Sequence, residues 1–135
     1  GKLDVRFTMA TPKGYRFDDA FMSRLKQEVP KLELTVTADP AAAVREATAV
    51  YTDVWTSMGQ EAESEKRRRD FAGYQVNAAL LQKAPQGAYF MHCLPAHREE
   101  EVTSEVMDSP QSIVIEQAAN RMHAQKGILA WLMSR

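Results

Sequence analysis

The sequence is short of several things, and each shortage excludes a class of protein. It has a single cysteine, Cys93, so no internal disulfide can form. That fits a reducing compartment and leaves the thiol either buried and inert or functional. It has almost no charge excess: 17 basic residues stand against 18 acidic ones, for a net charge of −1. No global field draws in nucleic acid or an anionic membrane surface, and any anion site must be local. No apolar run reaches the length of a membrane span. The opening GKLDVRF has none of the cationic, apolar and small-residue sections of a signal peptide, so a cytoplasmic location is expected. There is no CxxC or HxxxH pair, no internal repeat and no low-complexity linker. What is present, 135 residues with 44% hydrophobic and 26% charged, is the composition of one soluble globular domain. A chain of this size buries about two-thirds of the surface that its unfolded form exposes.

The pattern of residues predicts alternating strands and helices. Residues 3–10 read as a strand that ends at Thr11-Pro12-Lys13-Gly14. Asp18 or Asp19 then caps a helix to about Val29, stopped by Pro30. Residues 32–37 are a second strand, and Asp39-Pro40 opens a short helix over 41–47. A third strand covers 49–53, a charged helix starts near Glu61, and another helix is expected over 74–83. Residues 89–93 form a fourth strand, 112–115 a fifth, and a long helix covers about 116–133. Such alternation predicts an α/β fold, a doubly wound (Rossmann-like) parallel sheet flanked by helices, in which ligands sit beyond the carboxyl ends of the strands. Asp53, Cys93 and the stretch from Glu116 to Arg121 all follow predicted strands.

Three stretches could carry chemistry. In YTDVWTSMGQE, Asp53 at a strand end precedes a loop with Thr56, Ser57, Met58 and Gly59. A carboxylate beside a hydroxyl suits an ammonium ligand, since one supplies charge and the other direction. From spacing alone, turn and capping roles explain these residues better. In MHCLPAHR, His92, Cys93, His97 and Arg98 surround a Leu-Pro turn. The lone cysteine argues against a structural zinc site. A Cys–His nucleophile pair is disfavoured because adjacent strand residues point to opposite faces, and a buried cysteine before a turn remains as the third reading. Arg121 falls early in the last helix, where helix amides and a guanidinium could hold an anion together; alone it reads as a surface charge. The run from Glu65 to Arg69 reads as a solvated helix face, with Glu63–Arg67 and Glu65–Arg69 spaced for ion pairs.

Taken in order, ATPKGY, TDVWTSMGQE, HCLPAHR and ANRMHAQKGILAWL resemble the corresponding stretches of ornithine carbamoyltransferases, from about residue 3 to the end. The resemblance is to the second, ornithine-binding domain, and SMG in the loop points to ornithine rather than to the aspartate, putrescine or acetylornithine relatives. It implies transfer of the carbamoyl group of carbamoyl phosphate to the δ-amino group of ornithine, giving citrulline and phosphate, with no metal or organic cofactor. By that resemblance Asp53, Ser57 and the Met58 backbone hold the α-amino end of ornithine. Cys93, with Asp53, stands beside the δ-amino group as the catalytic pair. His92, Cys93, the Leu94 carbonyl and Arg121 face the carbamoyl phosphate. It further implies a homotrimer.

The sequence also departs from that pattern. The Ser-Thr-Arg-Thr phosphate cradle and His-Pro-x-x-Gln segment of the family's first, carbamoyl-phosphate domain are absent, as is the first strand–helix unit of the second domain with its Gly-Asp-Gly-Asn-Asn turn. Glu99 stands where the family has glycine, and Ala119 where it has glutamate. A Glu99 carboxylate pointing inward would oppose carbamoyl phosphate. Three readings follow: a piece of a transferase that works only with its missing half, an ornithine-binding module without turnover, or an interaction protein that self-associates through exposed sheet edge.

Overall fold

In the computed structural model, which describes residues 4–135, four short strands alternate with helices. The strands are β1 (Phe7–Ala10), β2 (Leu34–Thr37), β3 (Ala49–Thr52) and β4 (Tyr89–His92); the helices are α1 (Asp19–Glu28), α2 (Pro40–Val44), α3 (Ser64–Phe71), α4 (Ala78–Leu81), α5 (Ser104–Met107) and α6 (Val114–Met133). All strand pairing is parallel, as the alternation requires. Among the described residues it is divided into two separate pairs, β1 with β2 and β3 with β4. The fold is therefore α/β with parallel strands flanked by helices.

Local chemistry explains most boundaries. Asp18 caps α1 by accepting from the Phe21 N–H at 2.7 Å, satisfying one of the donors that a helix start leaves free. Asp39 caps α2 through the Ala41 and Ala42 amides at 2.9 and 3.2 Å, with Pro40 in the first turn. Asn77 does the same for α4 through Leu80 N–H at 2.9 Å.

Two predicted elements change. The helix expected over 74–83 is divided into a 3-10 turn (Ala72–Tyr74) and the shorter α4. The interruption has a non-local cause: Val76 forms a parallel bridge with Val102, donating to Glu101 O at 2.8 Å while its carbonyl accepts from Thr103 N–H at 3.1 Å. The expected fifth strand contributes only a bridge from Ser112 to Phe90, because Val114 already begins α6.

The apolar core comprises Val44, Val50, Val76, Leu81, Phe90, Val102, Val106 and Val114, so it surrounds β3 and β4. α6 leaves that core early. From Ala118 onward every residue is exposed, including Met122, Ile128, Leu129, Trp131 and Leu132. Among the described residues no helix is long and apolar enough to cross a membrane.

Candidate active site at the ends of β3 and β4

The register of the second strand pair determines the site. Thr52 lies opposite His92, so the next residue of each strand, Asp53 and Cys93, emerges side by side at the carboxyl ends. The Cys93 Sγ donates to Asp53 Oδ1 at 3.0 Å, and the same oxygen accepts from Val54 N–H at 2.7 Å. Burial pushes the Cys93 thiol above its ordinary pKa, and the hydrogen bond to Asp53 adds to the effect. Either influence disfavours the thiolate, so at neutral pH this sulfur is a proton carrier rather than an anionic nucleophile. Tyr51 lies two residues before Asp53 on the same strand face, and the neighbouring Cys93 thiol, followed by burial, raises its phenol to about 12.

His92 points the other way, as strand alternation requires. It is buried, and both ring nitrogens are engaged within the chain. Nδ1 accepts from Leu94 N–H at 2.8 Å, which leaves Nε2 to carry the proton and donate to Glu101 Oε1 at 3.0 Å. Glu101 Oε1 also accepts from His97 N–H at 2.7 Å, while Oε2 is buried without a hydrogen-bond partner. The pair thereby shapes the turn after β4, where Leu94 has a φ of 55° and precedes a cis peptide to Pro95. Glu101 escaped the sequence reading because it ends a run of three glutamates that looks like solvated charge. Its spacing of nine from a histidine carries no motif, and only burial reveals its role. His97, Glu100 and Glu101 bring possible ligand atoms within 4.8 Å of one another. Glu101 Oε1 already serves two donors there, and Glu100 is paired with Arg68 at 2.6 Å.

The remaining sequence candidates are spread out. Ser57 and Met58 stand in an exposed loop, with Met58 97% exposed. Ser57 O accepts from Gln60 N–H at 3.1 Å, and Gly59 turns the loop at a φ of 85°. The base of the loop is fixed: Trp55 stacks on Phe71 with ring centroids 6.1 Å apart, and Arg67 donates to the Trp55 carbonyl at 3.1 Å. Arg67 also pairs with Glu63 at 3.0 Å as the spacing predicted, whereas Lys66 with Asp70 replaces the expected Glu65–Arg69 pair. The ATPKGY turn docks on the same helix through Tyr15, which donates to Asp70 at 2.9 Å. Arg121 is exposed and lies well beyond the first turn of α6. At about 1.5 Å per residue its Cα stands about 10 Å along the helix axis from Val114. The helix start is instead tied to the site by Gln117, whose Oε1 accepts from His92 N–H at 3.1 Å. Glu99 turns outward, accepting from Ser104 N–H at 2.8 Å.

Residues 1–132 match the model of the aspartate/ornithine carbamoyltransferase family, Asp/Orn binding domain. The chain belongs to this family. It is 50% identical to the ornithine carbamoyltransferase of Symbiobacterium thermophilum over 135 aligned residues, 98% of this chain and 44% of that protein. The solved ornithine carbamoyltransferase of Pyrococcus furiosus superposes with a TM-score of 0.86 at 49% identity, covering 96% of this chain and 42% of that one. The anabolic ornithine carbamoyltransferase of Campylobacter jejuni gives 0.89 at 27% identity, covering 96% of this chain and 43% of that one. The chain thus spans less than half the length of the carbamoyltransferases it matches.

Proposed function

We propose that this chain is the ornithine-binding part of an ornithine carbamoyltransferase, which transfers the carbamoyl group of carbamoyl phosphate to the δ-amino group of ornithine, releasing citrulline and phosphate in arginine metabolism. The observation that carries the reading is the Asp53–Cys93 contact at 3.0 Å, located where neighbouring parallel strands end. A δ-ammonium cannot attack a carbonyl carbon until it loses a proton. Asp53 supplies a carboxylate to attract the amine, and Cys93, held protonated by burial, supplies a thiol that can exchange a proton with it. Ser57 and the Met58 backbone close on the α-amino end of ornithine together with Asp53. The Leu94 carbonyl and Arg121 meet carbamoyl phosphate; His92, being internally bonded, contributes by fixing the Leu94 turn.

The carbamoyl-phosphate domain and the opening strand–helix unit of this domain lie outside these residues, and the working assembly is a trimer. Catalysis then depends on bringing two bound substrates into line, which this chain does only with that partner. A second reading, ornithine binding without turnover, is favoured by one observation: Arg121 and the Ser57–Met58 loop stand exposed.

The test is citrulline formation by the chain alone and after adding a separately made carbamoyl-phosphate part of a related enzyme. We expect turnover only in the mixture, lost in Asp53→Ala. Background turnover in the mixture, with calorimetric binding of ornithine intact, would establish the binding module instead.

A further inference from the structure

We propose that Tyr15 is a positioning residue for the Ser57–Met58 loop: it braces the Phe71 ring and the Arg67 guanidinium, which together hold the loop at Trp55. The starting point is a run of like charge that does not form one solvated surface. Of the four basic residues from Lys66 to Arg69, Arg67 alone is turned inward, its side chain 17% exposed against 64% for Lys66 and 55% for Arg68. Helical spacing puts Arg67 and Phe71 on one face of α3, with Lys66 and Asp70 beside them. Tyr15 reaches that face from the turn after β1. Its ring meets Phe71 edge-on, with centroids 4.6 Å apart, and the Lys66 ammonium and Arg67 guanidinium stand 5.2 and 5.3 Å from its own centroid, within cation–π range. Its hydroxyl donates to Asp70 at 2.9 Å and accepts from Lys66 at 3.2 Å. Ring and hydroxyl are both engaged with α3. The same two braced residues secure the loop: Phe71 stacks on Trp55, and Arg67 donates to the Trp55 carbonyl while its Nε donates to Glu63. Ser57 follows Trp55 by two residues, so it stands no farther than about 7 Å from that anchor. A loop whose base is already fixed loses less freedom when a ligand orders it, and the brace therefore acts on affinity without touching substrate.

The inference rests on the reading of Ser57 and Met58 as ornithine contacts, and one of its two measurements needs no ligand, so the two can fail separately. Trp55 and Trp131 are the only tryptophans; the full chain carrying Trp131→Phe therefore reports Trp55 alone. In that background we expect Tyr15→Ala to raise acrylamide quenching of Trp55 and to weaken ornithine binding, measured by calorimetry, ~tenfold. Tyr15→Phe keeps the ring against Phe71 and the two cations and should return both values close to those of the parent. Phe7→Ala loosens β1, keeps the Tyr15 ring and should change neither. If Tyr15→Ala does not fold, Tyr15→Leu, which retains bulk but offers no ring face and no hydroxyl, takes its place. Unchanged quenching in the Tyr15 variant overturns the assignment. So does an equal rise in Phe7→Ala, which would mark general loosening, or a rise in quenching with ornithine affinity intact. A parent chain that binds no ornithine defeats the transferase reading, and the order of quenching among the variants then decides alone whether Tyr15 braces the loop.

Discussion

The two parallel strand pairs have the same number of strands and equal strand lengths, yet they differ in what holds them. Between Asp4 and Ala43 the only buried residue is Thr11, whereas the whole apolar core is drawn from Val44 onward. Phe7 in β1 is half exposed while Phe90 in β4 is completely buried. The β3–β4 half closes on itself: Val76 and Val102 bridge across it, Val106 and Val114 cover it, and His92 and Glu101 form a hydrogen-bonded pair within it. The β1–β2 half holds its backbone hydrogen bonds but has little apolar surface removed from water, the term that dominates folding. The difference teaches where the reacting groups can stand. Asp53 and Cys93 project from the half that holds the buried core, while the residues expected to close over substrate, Ser57 and Met58, lie in an exposed loop.

The comparison breaks most readily with one pair of large-to-small substitutions. Phe90→Ala removes a fully buried ring and costs about 3–5 kcal/mol, lost transfer energy plus a cavity, whereas Phe7→Ala, at a half-exposed site, costs about 1 kcal/mol or less. Urea unfolding of the two variants measures both. Equal costs would mean that the β1–β2 half is as well packed as the other and that the asymmetry described above carries no energy.

Glu101→Ala sharpens the comparison at a single point. The carboxylate oxygen accepts from His92 Nε2 and His97 N–H, so its removal leaves one donor unsatisfied in the buried interior and a second at its partly buried edge. We expect a destabilisation of about 1–3 kcal/mol, the cost of an unsatisfied buried group, with Glu101→Gln retaining most of the stability because it keeps an acceptor oxygen there. Thermal unfolding followed by circular dichroism checks the order. Full stability in Glu101→Ala would mean that apolar packing alone holds this half.

The features that sequence reasoning recovered are the local ones. Asp18 and Asp39-Pro40 start helices because capping is decided within four residues. Asp53 and Cys93 were legible because a parallel sheet places strand ends at one edge, and the structure brings them into contact. What escaped depends on distant partners. The expected helix over 74–83 is interrupted by a bridge from Val76 to Val102, and Ser112 is held by Phe90 without building a strand; neither interaction has a periodicity to read. Glu101 carries no motif, and only the packing that buries His92 against it gives it a role. Arg121 was placed correctly on the last helix but too near its start, because Val114 and Ile115 are β-branched and resemble strand residues.

The smallest effect is expected in the turn that joins this turn region to α5, at Glu99. Its φ of 69° lies in the left-handed region, where an L residue crowds its own Cβ against the following carbonyl and glycine does not. Two consequences oppose each other there. The backbone favours glycine, while the carboxylate accepts from Ser104 N–H at 2.8 Å and so serves the start of α5; that hydrogen bond also holds its carboxyl below the usual pKa. Glu99→Gly relieves the first and loses the second, so its melting temperature should stay close to that of the parent chain. Glu99→Ala loses the hydrogen bond and keeps the strain, and should melt a few degrees lower. The decisive quantity is the order of the two variants, since glycine ordinarily costs more conformational entropy than alanine on folding. Alanine melting above glycine would show that the turn relaxes freely, and would remove Glu99 from the elements that stabilise this half of the molecule.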